Sequence, residues 1–245
     1  MSQSDLYVGY LPLPAKHRAG VRVTCAFLFL TFLLASAAIA YLQRDPGPAV
    51  WDTAHEQAFT GLVLANPYPA LETPEGTYLV VEMGKRGAQE RLNPLHTTTA
   101  RLTGFLLERE GRRMIELAPD PSAVVPLDER RTSSTTLFAG EEITLAGEIL
   151  DAKCYLGAMK PGDGKAHKAC ATLCIDGGIP PMLYATRSDG TKGYYILTAR
   201  DASPAPELVR GYLAEPVRVR GTPLISDAGL SLLMIDEYSI QRVGP

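Results

Sequence analysis

Apolar residues are distributed unevenly along the chain. Residues 23–42 form one uncharged, mostly apolar stretch, and the sequence after it breaks into short apolar runs separated by Gly and Pro. A continuous apolar segment of this length can cross a hydrocarbon layer of about 30 Å as a helix. Short runs bounded by turn residues are typical of β-strands. The pattern therefore predicts one membrane-spanning helix followed by a β-rich part.

The β-rich part contains more strand-like than helix-like segments. The strand-like runs are residues 61–65, 77–83, 100–108, 113–117, 143–150, 193–199, 217–221 and 230–238. The helix-like segments are residues 53–59, 166–175 and 206–214. Many short strands at such spacing favour a barrel or a sandwich.

A weak internal repeat divides this part into two halves. The matching segments are 60–64 with 146–150, 77–82 with 193–198, and 101–104 with 218–221. Two glycines mark each half, Gly61 and Gly104 in the first and Gly147 and Gly221 in the second. The second pair is more widely spaced, and the excess nearly equals the cysteine-bearing stretch at residues 154–182. We therefore expect an insertion in the second half.

Five curled strands, with a glycine in the first and a helix before the fourth, indicate an OB-like barrel. Residues 206–214 supply that helix in the second half. The predicted fold class is mainly β: an N-terminal transmembrane helix and two tandem small OB-like β-barrel domains, the second with an inserted Cys/His loop and helix. One continuous β-sandwich across both halves is the alternative. An OB-like fold does not by itself imply nucleic-acid binding.

The predicted organisation has five segments. They are a cytoplasmic lead-in at 1–22, a transmembrane anchor at 23–43, a linker at 44–58, a first β domain at 59–138 and a second β domain at 139–245. The linker begins with the turn-forming residues Asp45, Pro46, Gly47 and Pro48.

Basic residues precede the apolar segment: Lys16, His17, Arg18 and Arg22. Because the basic flank of a spanning helix stays in the cytoplasm, everything after the helix should lie outside. A cleaved signal peptide is the competing interpretation, since residues 35–37 and 38–40 resemble small-residue cleavage sites. Both interpretations export the rest of the chain.

The net charge argues against a nucleic-acid-binding protein, and the cysteine content argues against a disulfide-dense scaffold. The chain carries a net charge of -3, whereas a nucleic-acid-binding domain usually shows a basic surface. Its four cysteines are too few for a disulfide-dense scaffold.

Three of the cysteines lie in the exported part, and one histidine accompanies them. His167, Cys170 and Cys174 are spaced i, i+3 and i+7 on a predicted helix and so share one face. Cys154, from the end of the preceding strand, can approach that face. The four residues predict a Cys₃His site for zinc, copper or an iron–sulfur cluster. Met159 is a possible extra ligand, which would favour copper.

A disulfide is the rival interpretation of the same residues. Cys154 could bridge to either helix cysteine and leave the other thiol free, whereas Cys170 and Cys174 are too far apart on an intact helix. Nearby lysines would favour a thiolate, either as a ligand or as a nucleophile. They are Lys153, Lys160, Lys165 and Lys168.

Residues 142–243 resemble a set of small exported bacterial proteins. The matching pieces are the strand at 147–151, Cys154, His-x-x-Cys-Ala-x-x-Cys at 167–174, Gly-Gly-x-Pro at 177–180, and the strands at 195–197 and 217–221. The resemblance supports treating the four Cys/His residues as a unit and implies no particular activity. The predicted location is the bacterial inner membrane, with a cytoplasmic N-terminus and periplasmic C-terminal domains.

These observations predict an accessory or electron-transfer subunit of a membrane complex, with no catalytic activity of its own. It would bind a metal or cluster beside an integral-membrane or periplasmic protein partner, and would not bind nucleic acid. One alternative is a thiol–disulfide redox protein that uses a helix cysteine. The other is a structural module with one disulfide.

Overall fold

The computed structural model of the protein describes residues 15–43, 49–187, 189–227 and 229–244. The chain divides into two units, residues 1–45 and 46–245. Residues 1–14 of the predicted lead-in and residues 44–48 of the predicted linker lie outside the described residues. The first unit contains helix α1, Ala15–Leu42. Its part His17–Leu42 is long and apolar enough to cross a membrane.

The second unit is built mainly from β-strands. In its described part the strands are β1 Ala49–Trp51, β2 Gln57–Leu64, β3 Ala70–Thr73, β4 Gly76–Val81, β5 Thr98–Arg109, β6 Arg112–Leu117, β7 Val124–Arg130, β8 Leu137–Ala139, β9 Ile143–Asp151, β10 Pro181–Thr186, β11 Lys192–Ala199, β12 Pro216–Ser226, β13 Ser231–Ile235 and β14 Ile240–Arg242. The short α-helices are α2 Gln89–Leu92, α3 Lys168–Asp176 and α4 Pro206–Val209.

The first barrel closes in the order β2-β3-β4-β6-β5, with β5 pairing back to β2. Its neighbours are antiparallel except for the parallel pair β4 and β6. The short helix α2 precedes β5, which is the fourth strand of the ring in chain order. β1 and β7 extend this sheet by pairing with β5.

The second barrel repeats this topology. It closes in the order β9-β10-β11-β13-β12, with β12 pairing back to β9 and one parallel pair, β11 and β13. Helix α4 precedes the fourth strand, as α2 does in the first barrel. The predicted fold class, an apolar helix followed by two OB-like barrels, is confirmed, and the continuous sandwich is not formed.

The repeated glycines have the same physical role in both barrels. A Cβ atom on Gly61 would lie 2.3 Å from the carbonyl oxygen of Glu72, and one on Gly147 would lie 2.2 Å from that of Tyr184. The first and second strands therefore approach closely enough that only glycine fits without a shift.

One predicted helix is wrong. Residues 53–59 do not form a helix, because β2 begins at Gln57 and its exposed and partly buried residues alternate along the strand. A segment this short is marginal as a helix, and pairing with β5 satisfies its backbone instead.

The cysteine-bearing insertion is the connection between β9 and β10, residues 152–180. It begins with a helical turn, Cys154–Ala158, and continues through the 3₁₀ turn Lys165–His167 into α3. The predicted insertion and its helix are confirmed. The chain leaves α3 through Gly177 and Gly178, and Gly178 adopts a positive φ of 90°, as a helix stop requires.

The two barrels share a hydrophobic core beneath this insertion. The core includes Tyr68, Leu107 and Met114 from the first barrel, and Tyr155 and Met182 from the second half. Shared burial of this kind makes the position of the insertion depend on both barrels.

Buried polar contacts of Tyr68 and Lys153 also join the barrels. The Tyr68 hydroxyl donates to the Leu197 carbonyl at 3.1 Å and accepts from the Ala205 amide at 2.9 Å. Lys153, beside the cysteines, forms an ion pair of 2.6 Å with Glu116 on β6, and both side chains are 3% exposed. Because buried polar groups need partners, these contacts fix how the barrels meet.

Candidate metal centre

The structure brings the three exported cysteines together. Cys154 opens the helical turn after β9, and Cys170 and Cys174 lie one turn apart on α3. The Cys154 sulfur is 3.8 Å from that of Cys170 and 3.9 Å from that of Cys174. All three sulfurs lie within 4.8 Å of one another. The two cysteines of the face predicted from helical spacing therefore meet the end of the strand, whereas His167 does not join the group of three sulfurs.

This spacing fits one metal ion. With metal–sulfur bonds of about 2.3 Å, neighbouring thiolates around a tetrahedral ion lie about 3.8 Å apart. The observed sulfur separations of 3.8 and 3.9 Å match that edge. A disulfide would need the sulfurs at about 2.05 Å. The three residues could therefore hold a metal ion without large movement.

His167 lies on the other side of Cys154 and is held by an aspartate. Asp151 accepts from the Cys154 amide at 2.8 Å, and its second oxygen is 2.8 Å from Nε2 of His167. Both Asp151 and His167 are buried. Asp151, Cys154 and His167 form a second group of metal-capable atoms. Among the described residues, the two groups share only Cys154.

Asp151 is the site residue that the sequence motif contained but sequence reasoning did not use. It ends strand β9, three residues before Cys154. A carboxylate that orients both a ligand backbone and a histidine is a common supporting element of metal sites. The sequence signal that could have identified Asp151 is an acidic residue at the end of a predicted strand, three residues before a cysteine.

The cation closest to the sulfurs comes from the first barrel. Lys85 Nζ lies 2.6 Å from the Cys170 sulfur and 3.7 Å from the Cys174 sulfur. Lys85 lies in the loop between β4 and α2, which is docked on the end of α3. The Gly87 amide donates to the Gly177 carbonyl, and the Gln89 side chain donates to the Gly178 carbonyl, both at 2.8 Å.

The four lysines that were predicted to lie near the thiols make other contacts or lie at the surface. Lys153 is engaged by Glu116 and also donates to the carbonyls of Glu82 and Gly84 at 2.8 and 2.6 Å. Lys168 pairs with Glu215 at the surface, and Lys160 and Lys165 are exposed.

The electrostatics of the thiols are asymmetric. The hydrogen bond with Cys154 lowers the pKa of the Cys174 thiol, and the nearby Lys85 ammonium also lowers it, against the effect of burial. The same hydrogen bond, together with burial, raises the pKa of Cys154. The hydrogen bond to the Cys170 sulfur raises the pKa of Lys85. Cys174 is therefore the thiol most easily deprotonated of this pair.

A cavity of 430 Å³ opens onto the thiols. Its wall includes all three cysteines, Lys85, and side chains of the first barrel such as Trp51 and Met83. Met159, the predicted extra ligand, also lines it, is 44% exposed, and donates its backbone amide to the Cys154 carbonyl at 3.1 Å. The site is therefore reachable from solvent.

Comparison with known proteins adds no assignment to this geometry. No protein-family model, curated protein or solved structure matches the chain. The three thiols lie close enough together to hold one metal ion, and a buried Asp–His pair lies beside them. Thiolates favour soft and borderline metals such as Cu(I) and zinc.

Proposed function

We propose that this chain is a membrane-anchored exported protein that binds a single metal ion through Cys154, Cys170 and Cys174. The observation that carries the proposal is the sulfur triangle, with separations of 3.8 and 3.9 Å around Cys154. In an iron–sulfur cluster three thiolates do not all bind the same iron atom, so at least one of the sulfurs lies further away than the edge of one coordination sphere. The triangle favours one ion over a cluster.

Export is supported by α1 and by the basic residues at its start. Arg18 and Arg22 favour a cytoplasmic N-terminus, which would put the barrels in the periplasm of a bacterium. Exposed thiols in an oxidising compartment are converted to disulfides, and a bound metal protects them. A fusion of alkaline phosphatase after residue 244 is expected to be active only if the barrels are periplasmic.

The physiological role that fits these features is an accessory or electron-transfer subunit beside an integral-membrane partner. The three cysteines line an open cavity, although Cys154 and Cys174 are themselves buried. Structural zinc sites, by contrast, are closed and complete their own coordination. An accessible metal suits transfer of an ion or an electron to a partner.

A thiol–disulfide redox protein is the second candidate, and one observation favours it. Lys85 lies 2.6 Å from the Cys170 sulfur, and a neighbouring cation stabilises a thiolate nucleophile. In that case Cys154 would form a disulfide with one helix cysteine during turnover. A purely structural disulfide would use the same pair without turnover.

The deciding experiment uses the full-length chain, made with its N-terminal segment in a bacterial host and purified anaerobically in detergent. Native mass spectrometry is expected to show one metal ion per chain. Cys154→Ser, Cys170→Ser and Cys174→Ser should each release it, whereas Cys25→Ser, a matched change in α1, should retain it. Trp51, the only tryptophan and part of the cavity wall, should change fluorescence on loading.

Two results would contradict the metal proposal. One is a mass two hydrogens short, with no metal and only one alkylatable thiol in the exported part. The other is full alkylation of all three exported thiols in the untreated protein, with unchanged Trp51 fluorescence on adding zinc or Cu(I). The first result would support the redox or structural disulfide, and enzymatic disulfide exchange would then separate those two.

A further inference from the structure

We infer that the ion is Cu(I), held by the three thiolates alone, and that Met83 and Met159 form a thioether port through which it is exchanged. The inference rests on the proposed metal site and names its metal and its route of access. Three features carry it: the engagement of the Asp–His pair, the position of Lys85, and the methionines in the cavity wall.

Among the described residues, no histidine nitrogen or carboxylate oxygen lies with the three sulfurs in one group of ligand atoms within 4.8 Å of one another. One Asp151 oxygen accepts from the Cys154 amide and the other is 2.8 Å from Nε2 of His167. That contact engages Nε2, one of the two ring nitrogens of His167. Since structural zinc is almost always bound by four protein ligands, zinc at these three thiols would need a solvent molecule as its fourth ligand. Three soft donors are sufficient for Cu(I), which thiolates select.

The cavity side of the triangle carries a cation instead of a ligand. Lys85 Nζ lies 2.6 Å from the Cys170 sulfur and 3.7 Å from the Cys174 sulfur. An ammonium group has three donors and no lone pair for a metal. A monovalent ion leaves three thiolates with excess negative charge, and Lys85 lies where it offsets part of that charge.

The cavity wall supplies two further soft atoms. Met83 is 45% exposed and Met159 is 44% exposed, and both line the cavity that ends at the thiols. They come from different barrels, Met83 from the segment after β4 and Met159 from the end of the helical turn that begins at Cys154. Thioethers bind Cu(I) and suit harder divalent ions poorly. Both methionines are exposed in the cavity wall, whereas Cys154 and Cys174 are buried, so the thioethers would give Cu(I) a selective path inwards.

The test measures metal exchange in the full-length chain in detergent under anaerobic conditions. Cu(I) is supplied from a colorimetric Cu(I) chelator, and its transfer is followed by the chelator colour and by Trp51 fluorescence. Cu(I) is expected to displace Zn(II) from the wild type. The double variant Met83→Leu/Met159→Leu should slow transfer of Cu(I) in both directions by about tenfold, with Zn(II) transfer unchanged. Met234→Leu, in β13 and outside the cavity wall, is the matched control and should exchange at the wild-type rate.

The outcomes separate the two proposals. A wild type that binds neither ion at the cysteines removes the metal site itself. A wild type that binds metal but retains Zn(II) against excess Cu(I) overturns the copper assignment alone. Wild-type exchange rates in the double variant, or equal slowing in Met234→Leu, overturn the port and leave the metal site intact.

Discussion

The two barrels have the same topology but use the same loop in opposite ways. Between its first and second strands the first barrel has residues 65–69, which place Tyr68 against the second barrel. The second barrel has residues 152–180 at this position, which carry the cysteines and pack against the first. In OB folds this loop is one of those that bind ligands. In this protein the loop of the first barrel contacts the second barrel through Tyr68, and the loop of the second barrel carries the candidate metal ligands.

The candidate site is not built from the second barrel alone. The cysteines belong to the insertion, but Lys85, Trp51 and Met83 come from the first half of the chain. Glu116, on β6, pairs with the lysine next to Cys154. The first barrel therefore supplies part of the cavity wall at the candidate site, and changes in it should alter the proposed metal binding.

The buried ion pair between Lys153 and Glu116 should give the largest effect. Lys153→Met leaves the Glu116 carboxylate buried without its cation and removes a donor from two backbone carbonyls. Breaking such a pair costs about 3–5 kcal/mol. We expect the free energy of unfolding to fall by about that amount, measured by urea titration of the full-length chain in detergent.

Lys168→Met is the matched control for that change. Lys168 belongs to the same insertion but pairs with Glu215 at the surface, where its side chain is 42% exposed. Exposed pairs contribute about 0–1 kcal/mol. If the two variants unfold at the same urea concentration, the buried pair does not hold the barrels together.

Asp151→Asn addresses the inner side of the site, which the second barrel supplies alone. The change removes the carboxylate that orients both Cys154 and His167. Loss of a supporting partner typically weakens metal affinity by about 10–100-fold. Competition with a chelator of known affinity measures the loss.

Asp176→Asn is the control for Asp151→Asn, because Asp176 ends α3 and pairs with Arg210 at the surface. It should bind metal as the wild type does. Equal affinities for Asp151→Asn and the wild type would mean that the Asp–His pair has no role in holding the ion.

Local spacing explains which parts of the site were predictable. The helical phase that aligns Cys170 with Cys174 is a property of a few consecutive residues, and so is the glycine pattern of the barrels. The strand end that presents Cys154 follows from the same short-range signals. These features could be predicted because each depends on backbone geometry within one element.

The contacts between the two barrels could not be predicted from local sequence spacing. Lys85 is 85 residues from Cys170, and no periodicity links the two positions. Predicted lysines such as Lys153 were near the cysteines in sequence, yet the insertion folds so that Lys153 enters the core. His167 lies in the 3₁₀ turn before α3, and its ring contacts Asp151. Which charge faces the sulfurs is decided by how the barrels dock.

Tyr68→Phe tests the anchor loop of the first barrel. The substitution keeps the ring but removes a hydroxyl that bonds the Leu197 carbonyl and the Ala205 amide. Leaving buried polar groups unpaired costs about 1–3 kcal/mol. Thermal unfolding should show the loss, whereas Tyr238→Phe, at a site that is 74% exposed, should not. Equal stability of the two variants would mean that the hydroxyl does not anchor the barrels.

The smallest effect should come from Glu72, which ties the first barrel to the segment that leads into the second. Burial opposes ionisation, but hydrogen bonds from Ser133, Ser134 and Thr135 outweigh it and lower the pKa of Glu72 to about 2, from an ordinary value of 4.5. A lowered pKa stabilises the fold above the unfolded-state value, and this contribution disappears as pH falls from about 4.5 towards 2.

Glu72→Gln should therefore lower the melting temperature by a few degrees at pH 7 and by progressively less below pH 4.5, with convergence on the wild type near pH 2. Glu75→Gln, an exposed neighbour in the same hairpin, is the control and should follow the wild type throughout. A difference that stays constant across this range would show that Glu72 acts through shape rather than charge.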